Sequence, residues 1–199
     1  YALQPVVDPR LCASCGICTG ACPYSMPFRS DELVSGIELP GLSLATLRAN
    51  TSNAVAGLHN GVRVMVFGCD CAYDVRALQS EGVAAISVPC IGMLPPAFID
   101  YVLRDASVDG VMVAGCREGD CQYRLGIRWT GLRLSRQREP YLRQRVPLQR
   151  IEHCRAGKHD SEQARAALAA LRERIGQIPR ETVLEGDAPE HEFKPDGKN

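Results

Sequence analysis

Val62-Arg63-Val64-Met65-Val66-Phe67-Gly68-Cys69-Asp70-Cys71, Ala84-Ala85-Ile86-Ser87-Val88-Pro89-Cys90 and Val111-Met112-Val113-Ala114-Gly115-Cys116 are short apolar runs that end in cysteine. Cys121 follows the last after Arg117-Glu118-Gly119-Asp120. The runs are rich in Val and bounded by Gly or Pro, so they read as buried strands. Helical patterns separate them, which argues for βαβ crossovers and a parallel sheet. Ligands of open parallel sheets gather beyond the carboxyl ends of the strands. Residues 62–121 are therefore expected to place their thiols together as a metal site at one edge of an α/β domain. Five thiols there, Cys69, Cys71, Cys90, Cys116 and Cys121, suit an iron–sulfur cluster.

Working outward, the domain is expected to span 61–179. A helix is predicted from Asp74 to Glu81, stopped by Gly82. Pro95-Pro96 opens the next, with Phe98, Ile99, Val102, Leu103 and Ala106 at helical spacing. A long helical stretch is predicted over Tyr123–Arg145, broken near Pro140, and a fourth strand over Arg150–Cys154. Asp160 or Ser161 caps the last helix, which buries Ala164, Ala167, Leu168, Leu171, Ile175 and Ile178 before Pro179 ends it. This alternation predicts a doubly wound, mostly parallel sheet with right-handed crossovers. Residues 36–60 read as a connector: Pro40-Gly41 turns the chain and Leu42–Leu58 suggests a helix, weakened by Asn50, Thr51, Ser52 and Asn53. Its expected role is a packed linker that fixes the distance between two redox units. Residues 180–199 carry six acidic side chains with Pro189, Pro195 and Gly197, and read as a polar tail.

Residues 1–35 hold the sharpest local motif. Cys12, Cys15, Cys18 and Cys22 are spaced C-x2-C-x2-C-x3-C, with Pro23 next. This is the bacterial ferredoxin run for a [4Fe–4S] cluster. Two-residue spacers let thiolates and backbone N–H groups wrap one face of a cube, and Gly16 and Gly20 are expected to supply unusual backbone angles. In two-cluster ferredoxins the fourth cysteine serves the other cluster. One run is present here, so a single cluster on all four thiols is favoured over exchange with a run before Tyr1.

The second site leaves more open. A [2Fe–2S] cluster takes four protein ligands, so five thiols leave one spare, expected in the pair Cys69/Cys71. The alternatives are a zinc site on the same thiolates, a redox-sensing or cluster-carrying module, and a dithiol oxidoreductase using Cys116 and Cys121. Cys154, inside the fourth strand, reads as structural. No G-x-G-x-x-G follows a strand and no phosphate loop is visible, so no nucleotide or flavin is expected.

The ten cysteines among 199 residues are clustered, which favours metal ligation in a reducing, cytoplasmic setting over a disulfide framework. Net charge is zero, so no global field draws the chain to nucleic acid or membrane. No apolar run approaches the roughly 20 residues of a membrane span; a place at the cytoplasmic face of a membrane complex stays open, as does a longer chain upstream of Tyr1. From Arg117 to Arg155 there are ten arginines against four acidic residues. A solvated helix face is the plain reading, and a basic docking surface for an acidic redox partner the sharper one.

Gly115-Cys116-Arg117-Glu118-Gly119-Asp120-Cys121-Gln122-Tyr123 resembles the G-C-x-x-G-D-C-x-Y signature of the methyl-viologen-reducing hydrogenase delta subunit family. Cys90-Ile91-Gly92-Met93-Leu94-Pro95-Pro96 resembles that family's segment after its second strand. The resemblance covers about 62–178. It implies a [2Fe–2S] domain that passes electrons between a hydrogenase or formate dehydrogenase and the flavoprotein of heterodisulfide reductase, an electron-bifurcating enzyme. Cys90, Cys116 and Cys121 carry over directly. After the first strand the family usually has two cysteines separated by two residues, whereas here only Asp70 separates Cys69 from Cys71. The ferredoxin run is an addition to the minimal subunit. The chain therefore reads as a relay of single electrons between two clusters, with Tyr24 and Arg117 expected to support the ligands from behind.

Overall fold

The computed structural model describes residues 6–23, 37–59, 61–104, 106 and 108–178. Tyr24, residues 180–199 and the ends of the expected 1–35 segment lie outside them.

The three quoted runs form strands β1 (Val64–Cys69), β2 (Val83–Val88) and β3 (Gly110–Gly115), and β4 (Ile151–Arg155) joins them. Every pairing is parallel and the order is β2-β1-β3-β4. The central strands β1 and β3 are buried along their whole length, which is why their sequences are continuously apolar rather than alternating. The pleat still divides their side chains between two cores. Met65, Phe67, Val111 and Val113 face α2 (Leu44–Ala56), α3 (Pro96–Arg104) and α4 (Gly126–Leu134). Val64, Val66, Met112 and Ala114 face a short 3-10 turn (Val75–Leu78) and α5 (Ser161–Gly176). Layers on both faces of a parallel sheet are the doubly wound architecture expected. Phe67 and Phe98, both fully buried, meet edge to face at 5.8 Å. Such a pair adds about 0.5–1.5 kcal/mol to the burial of its area.

Three elements differ from expectation. Asp74–Glu81 is no α-helix but the single 3-10 turn, because Ser80 already pairs with Val83 and leaves no length for a second turn. The long helix over Tyr123–Arg145 stops at Leu134. Arg136 adopts φ 59° and turns its guanidinium onto the carbonyls of Leu142, Arg143, Gln144 and Val146, closing a loop where a helix would run. Arg143 and Arg145 then clamp that loop to the buried carboxylate of Asp100 on α3, at 3.2 and 2.6 Å. The fourth strand begins at Ile151, and Arg150 ends a 3-10 turn before it.

In the connector, α2 forms despite its polar middle. Ser43 caps it by accepting from the Thr46 N–H at 3.0 Å. Thr51 buries its hydroxyl by donating to the Leu47 carbonyl at 2.8 Å, and Leu47 and Val55 join the core beside it. The connector is thus a packed layer, further tied by Arg48 Nε donating to the Tyr101 hydroxyl at 3.2 Å. No helix among the described residues is long and apolar enough to cross a membrane.

Candidate metal centre

Parallel register does the first work. Cys69 ends β1 opposite Val88, the last residue of β2, and Gly68 pairs with Ala114 of β3. Cys90 and Cys116 lie just past the same two strand ends, so three thiols from distant stretches emerge at one edge. Asp70 N–H donates to the Val88 carbonyl at 2.8 Å and Ala72 N–H to the Cys69 carbonyl at 3.0 Å. That tight turn swings Cys71 back to the edge. The Sγ atoms of Cys69, Cys71 and Cys116 lie within 4.8 Å of one another, and Cys71 meets Cys116 at 3.3 Å. Cys90 hydrogen-bonds with Cys69. Cys121 reaches the group beside Cys90: a Cβ built on Gly126 would stand 2.3 Å from Cys90 Sγ and 3.7 Å from Cys121 Sγ. All five expected thiols are therefore brought to one place, and Gly126 is glycine because α4 begins against a sulfur.

The electrostatics are those of crowded thiols. Ile91 N–H donates to Cys69 Sγ at 3.2 Å and Gly92 N–H to Cys90 Sγ at 3.4 Å, contacts that favour thiolates. Cys90 and Cys116 are held below the ordinary thiol value, chiefly by hydrogen bonds from Cys69. Cys69 is driven above it by the same bonds to Cys116 and Cys90 and by burial. Burial, then Cys116, pushes Cys71 up to about 12. Sulfurs this close cannot all ionise together unless a cation shares them, which is the condition a bound metal would meet.

The ferredoxin run lies against this edge. Its α1 (Ile17–Ala21) follows two left-handed residues, Ser14 at φ 55° and Gly16 at φ 71°, and Ser14 N–H donates to Cys12 Sγ at 3.2 Å. Cys12, Cys15 and Cys22 are half-buried and Cys18 is exposed. These four do not form a group as tight as Cys69, Cys71 and Cys116. Gly16 meets the expectation of an unusual backbone angle. Gly20 does not, being helical: a Cβ on it would stand 2.0 Å from the Gly92 carbonyl oxygen. A Cβ on Gly16 would stand 2.5 Å from Met93 Cβ, and one on Gly92 2.9 Å from Ile17 Cγ1 and 3.0 Å from Gly126 Cα. Three glycines, Gly16, Gly20 and Gly92, thus let α1 sit directly on the 3-10 turn Ile91–Met93 that follows Cys90. The neighbouring Cys90 helps burial raise the Cys15 thiol. Tyr123 lies over the same seam, its phenol raised first by burial and then by Cys71, Cys15 and Cys90.

Arg117 pairs with Asp160 at the start of α5 and so anchors the Cys116–Cys121 loop. Arg155 pairs with Glu118 of that loop. Most of the dense arginines are accordingly neither a solvated helix face nor a free basic surface: Arg136, Arg143 and Arg145 hold a loop, and Arg133 and Arg150 are buried. Cys154 sits in the core on the opposite face of the sheet, as its structural reading required. Gly92, Gly126 and Arg133 are the residues of this region that the sequence reading did not single out. The Gly16-x3-Gly20 spacing was a signal of close packing, whereas nothing local marks Gly126 or Arg133.

A family model described as methyl-viologen-reducing hydrogenase, delta subunit, matches residues 64–178. The chain is 40% identical over 57 residues, 29% of its length and 41% of the relative's, to the iron-sulfur subunit of the F420-non-reducing hydrogenase of Archaeoglobus profundus. It is 36% identical over 59 residues, 30% of its length and 40% of the relative's, to the iron-sulfur subunit of the F420-non-reducing hydrogenase vhc of Methanococcus voltae. The matched stretches thus span about two fifths of each of these curated relatives. The family match runs over more than half of the chain, and the chain belongs to the methyl-viologen-reducing hydrogenase delta subunit family.

Proposed function

We propose that this member of the delta subunit family is an electron-transfer subunit, with a [4Fe–4S] cluster on Cys12, Cys15, Cys18 and Cys22 and a [2Fe–2S] cluster on four of Cys69, Cys71, Cys90, Cys116 and Cys121. The donor set fits both groups. It is all thiol, and backbone N–H groups already point at Cys12, Cys69 and Cys90. Cys69 is the better ligand of its pair: it is buried, accepts the Ile91 N–H, and touches both Cys90 and Cys116, whereas Cys71 lies on the rim. When bound, such clusters store and release single electrons. The chain's own part is to hold the two thiol sets at a fixed separation, with Cys69, Cys90 and Cys116 buried and Cys18 left open to solvent.

One observation carries this reading: α1 of the ferredoxin run packs on the turn that follows Cys90, with backbone against backbone. A redox sensor or cluster carrier needs no second thiol set docked there. The relatives' names speak for a hydrogenase as one partner; a dehydrogenase in its place, and a heterodisulfide-reductase-like flavoprotein on the other side, are what the resemblance of the Cys116–Cys121 signature implies. The expected setting is cytoplasmic, or the cytoplasmic face of a membrane complex, with no nucleic acid involved.

The test is anaerobic purification, iron and sulfide analysis, and EPR during stepwise reduction. About six irons per chain with separable [4Fe–4S] and [2Fe–2S] signals is the expected result. About four irons and no [2Fe–2S] signal in a folded protein would overturn the second cluster. The tight trio of Cys69, Cys71 and Cys116 also suits one zinc ion, and the 3.3 Å approach of Cys71 to Cys116 suits a dithiol. Zinc content and alkylation of the metal-free protein separate those two readings.

A further inference from the structure

Arg133 is a cation buried where a cation is costly. Its side chain is on α4 and the residue is 1% exposed. Nη1 donates to the Gly92 carbonyl at 3.2 Å, while Nε and Nη2 are buried with no hydrogen-bond partner. Among the described residues no carboxylate meets it. Its near neighbours are the Trp129 ring, 5.9 Å from the guanidinium carbon, and the like charge of Arg138. Burial lowers its pKa to about 10, so it keeps its proton at neutral pH. A buried charge with idle donors calls for an anion.

Its position says which anion. A Cβ on Gly20 would stand 2.9 Å from Arg133 Nη1 and 2.0 Å from the oxygen that Nη1 bonds. Gly20 lies two residues from both Cys18 and Cys22, and Gly92 two residues from Cys90. The guanidinium therefore sits at the seam, about two residue lengths, roughly 7 Å, of chain from ligands of either thiol set. Four thiolates outweigh the positive charge of either cluster core, and each cluster gains one further negative charge on reduction.

We propose that Arg133 is a shared counter-charge for the two clusters, a positioning residue whose buried cation favours the reduced form of both. This rests on the two-cluster reading above. A charge in a low-dielectric seam acts on both sites with little screening by salt. A merely structural Arg133 would act through its bond to the Gly92 carbonyl. Glutamine removes the charge but is too short to keep that bond, so the lysine variant, whose one amine changes charge at constant length, separates the two roles.

The experiment is an EPR-monitored redox titration of the full-length, cluster-loaded chain. In Arg133→Gln, both midpoints are expected to fall, by about tenfold in the reduction equilibrium constant, or about 59 mV for a one-electron couple. Arg133→Lys makes the charge switchable. Both midpoints should match the wild type while the amine is protonated and fall together as pH rises toward the lysine range, about 10.4 or lower for a buried amine. The wild type should lack that coordinated fall. If Arg133→Gln does not hold its clusters, the lysine profile decides alone. Both EPR signals with unmoved midpoints in Arg133→Gln, or a lysine profile equal to the wild type's, would overturn the counter-charge and leave the relay standing. A wild-type chain without both signals would overturn the relay itself and this inference with it.

Discussion

The two thiol sets are built in opposite ways. The ferredoxin run draws its cysteines from 11 consecutive residues, Cys12 to Cys22, and needs only a left-handed turn and a five-residue helix. The sheet-edge set draws its cysteines from the ends of three strands and from the loop before α4, from Cys69 to Cys121. The first is a local arrangement that is docked, and the second exists only once the parallel register has formed. The local set can therefore be lost without unfolding the domain, whereas the edge set depends on the whole sheet.

The strongest way to break that contrast is to remove one ligand from each. Cys18→Ser is expected to abolish the [4Fe–4S] signal and leave the thermal transition of the sheet domain nearly unmoved. Cys116→Ser should abolish the [2Fe–2S] signal and keep the other. EPR and iron analysis read both. The same assay sharpens the ligand choice: Cys69→Ser should lose the [2Fe–2S] signal and Cys71→Ser should retain it. The reverse pattern would put the ligand on the rim of the turn.

Scaffold and sites should also separate. Asp100 is fully buried between Arg143 and Arg145 and lies on α3, a helix that carries none of the thiols. Asp100→Ala leaves two partly exposed guanidiniums without their carboxylate, a loss of about 1.5–3 kcal/mol for hydrogen bonds to a charged group. Urea unfolding should show that loss while the EPR signals of the folded fraction are unchanged. Gly20→Ala comes next. Its methyl would collide with the Gly92 backbone, and overpacking of this kind costs about 1–3 kcal/mol. The strain falls on the docking of α1, so hydrogen exchange should quicken over 12–22 and not in β1 or β3.

Which parts were legible follows from the same contrast. The strands announced themselves because β1 and β3, buried on both faces, must be apolar throughout. The ferredoxin spacing was legible because its geometry is local. The helix over Tyr123–Arg145 was misread because Arg136 satisfies the carbonyls of four loop residues, a long-range use of one side chain that leaves no periodic trace. The helix over Asp74–Glu81 failed for want of room. The role of Gly126 was invisible, since only the fold brings Cys90 Sγ to that helix start. Gly20 was noticed for the wrong reason: its helical backbone has no need of glycine, but the approach of the Gly92 carbonyl does.

The smallest effect tests how the edge set is held from outside. Arg117, next to Cys116, reaches across to Asp160 at the start of α5 and pins the Cys116–Cys121 loop to the opposite layer. The Asp160 carboxyl is held below the usual carboxylate range, first by Arg117 and then by the Gly157 N–H. A depressed carboxylate stabilises the fold at pH above its unfolded value, about 3.9, and that contribution is lost as pH falls through the lower folded value. Asp160→Asn should therefore flatten the acid limb of the stability curve and change nothing at the alkaline end. Arg117 is more than half exposed although Asp160 is only 11% so, and water and salt reach the pair from the arginine side, so the change at neutral pH should be small and should shrink further in salt. Thermal melts of the two proteins across the acid range read the difference. A large loss at neutral pH would mean that the loop depends on this one anchor, and that the edge set is less a product of the sheet than the register of β1, β2 and β3 implies.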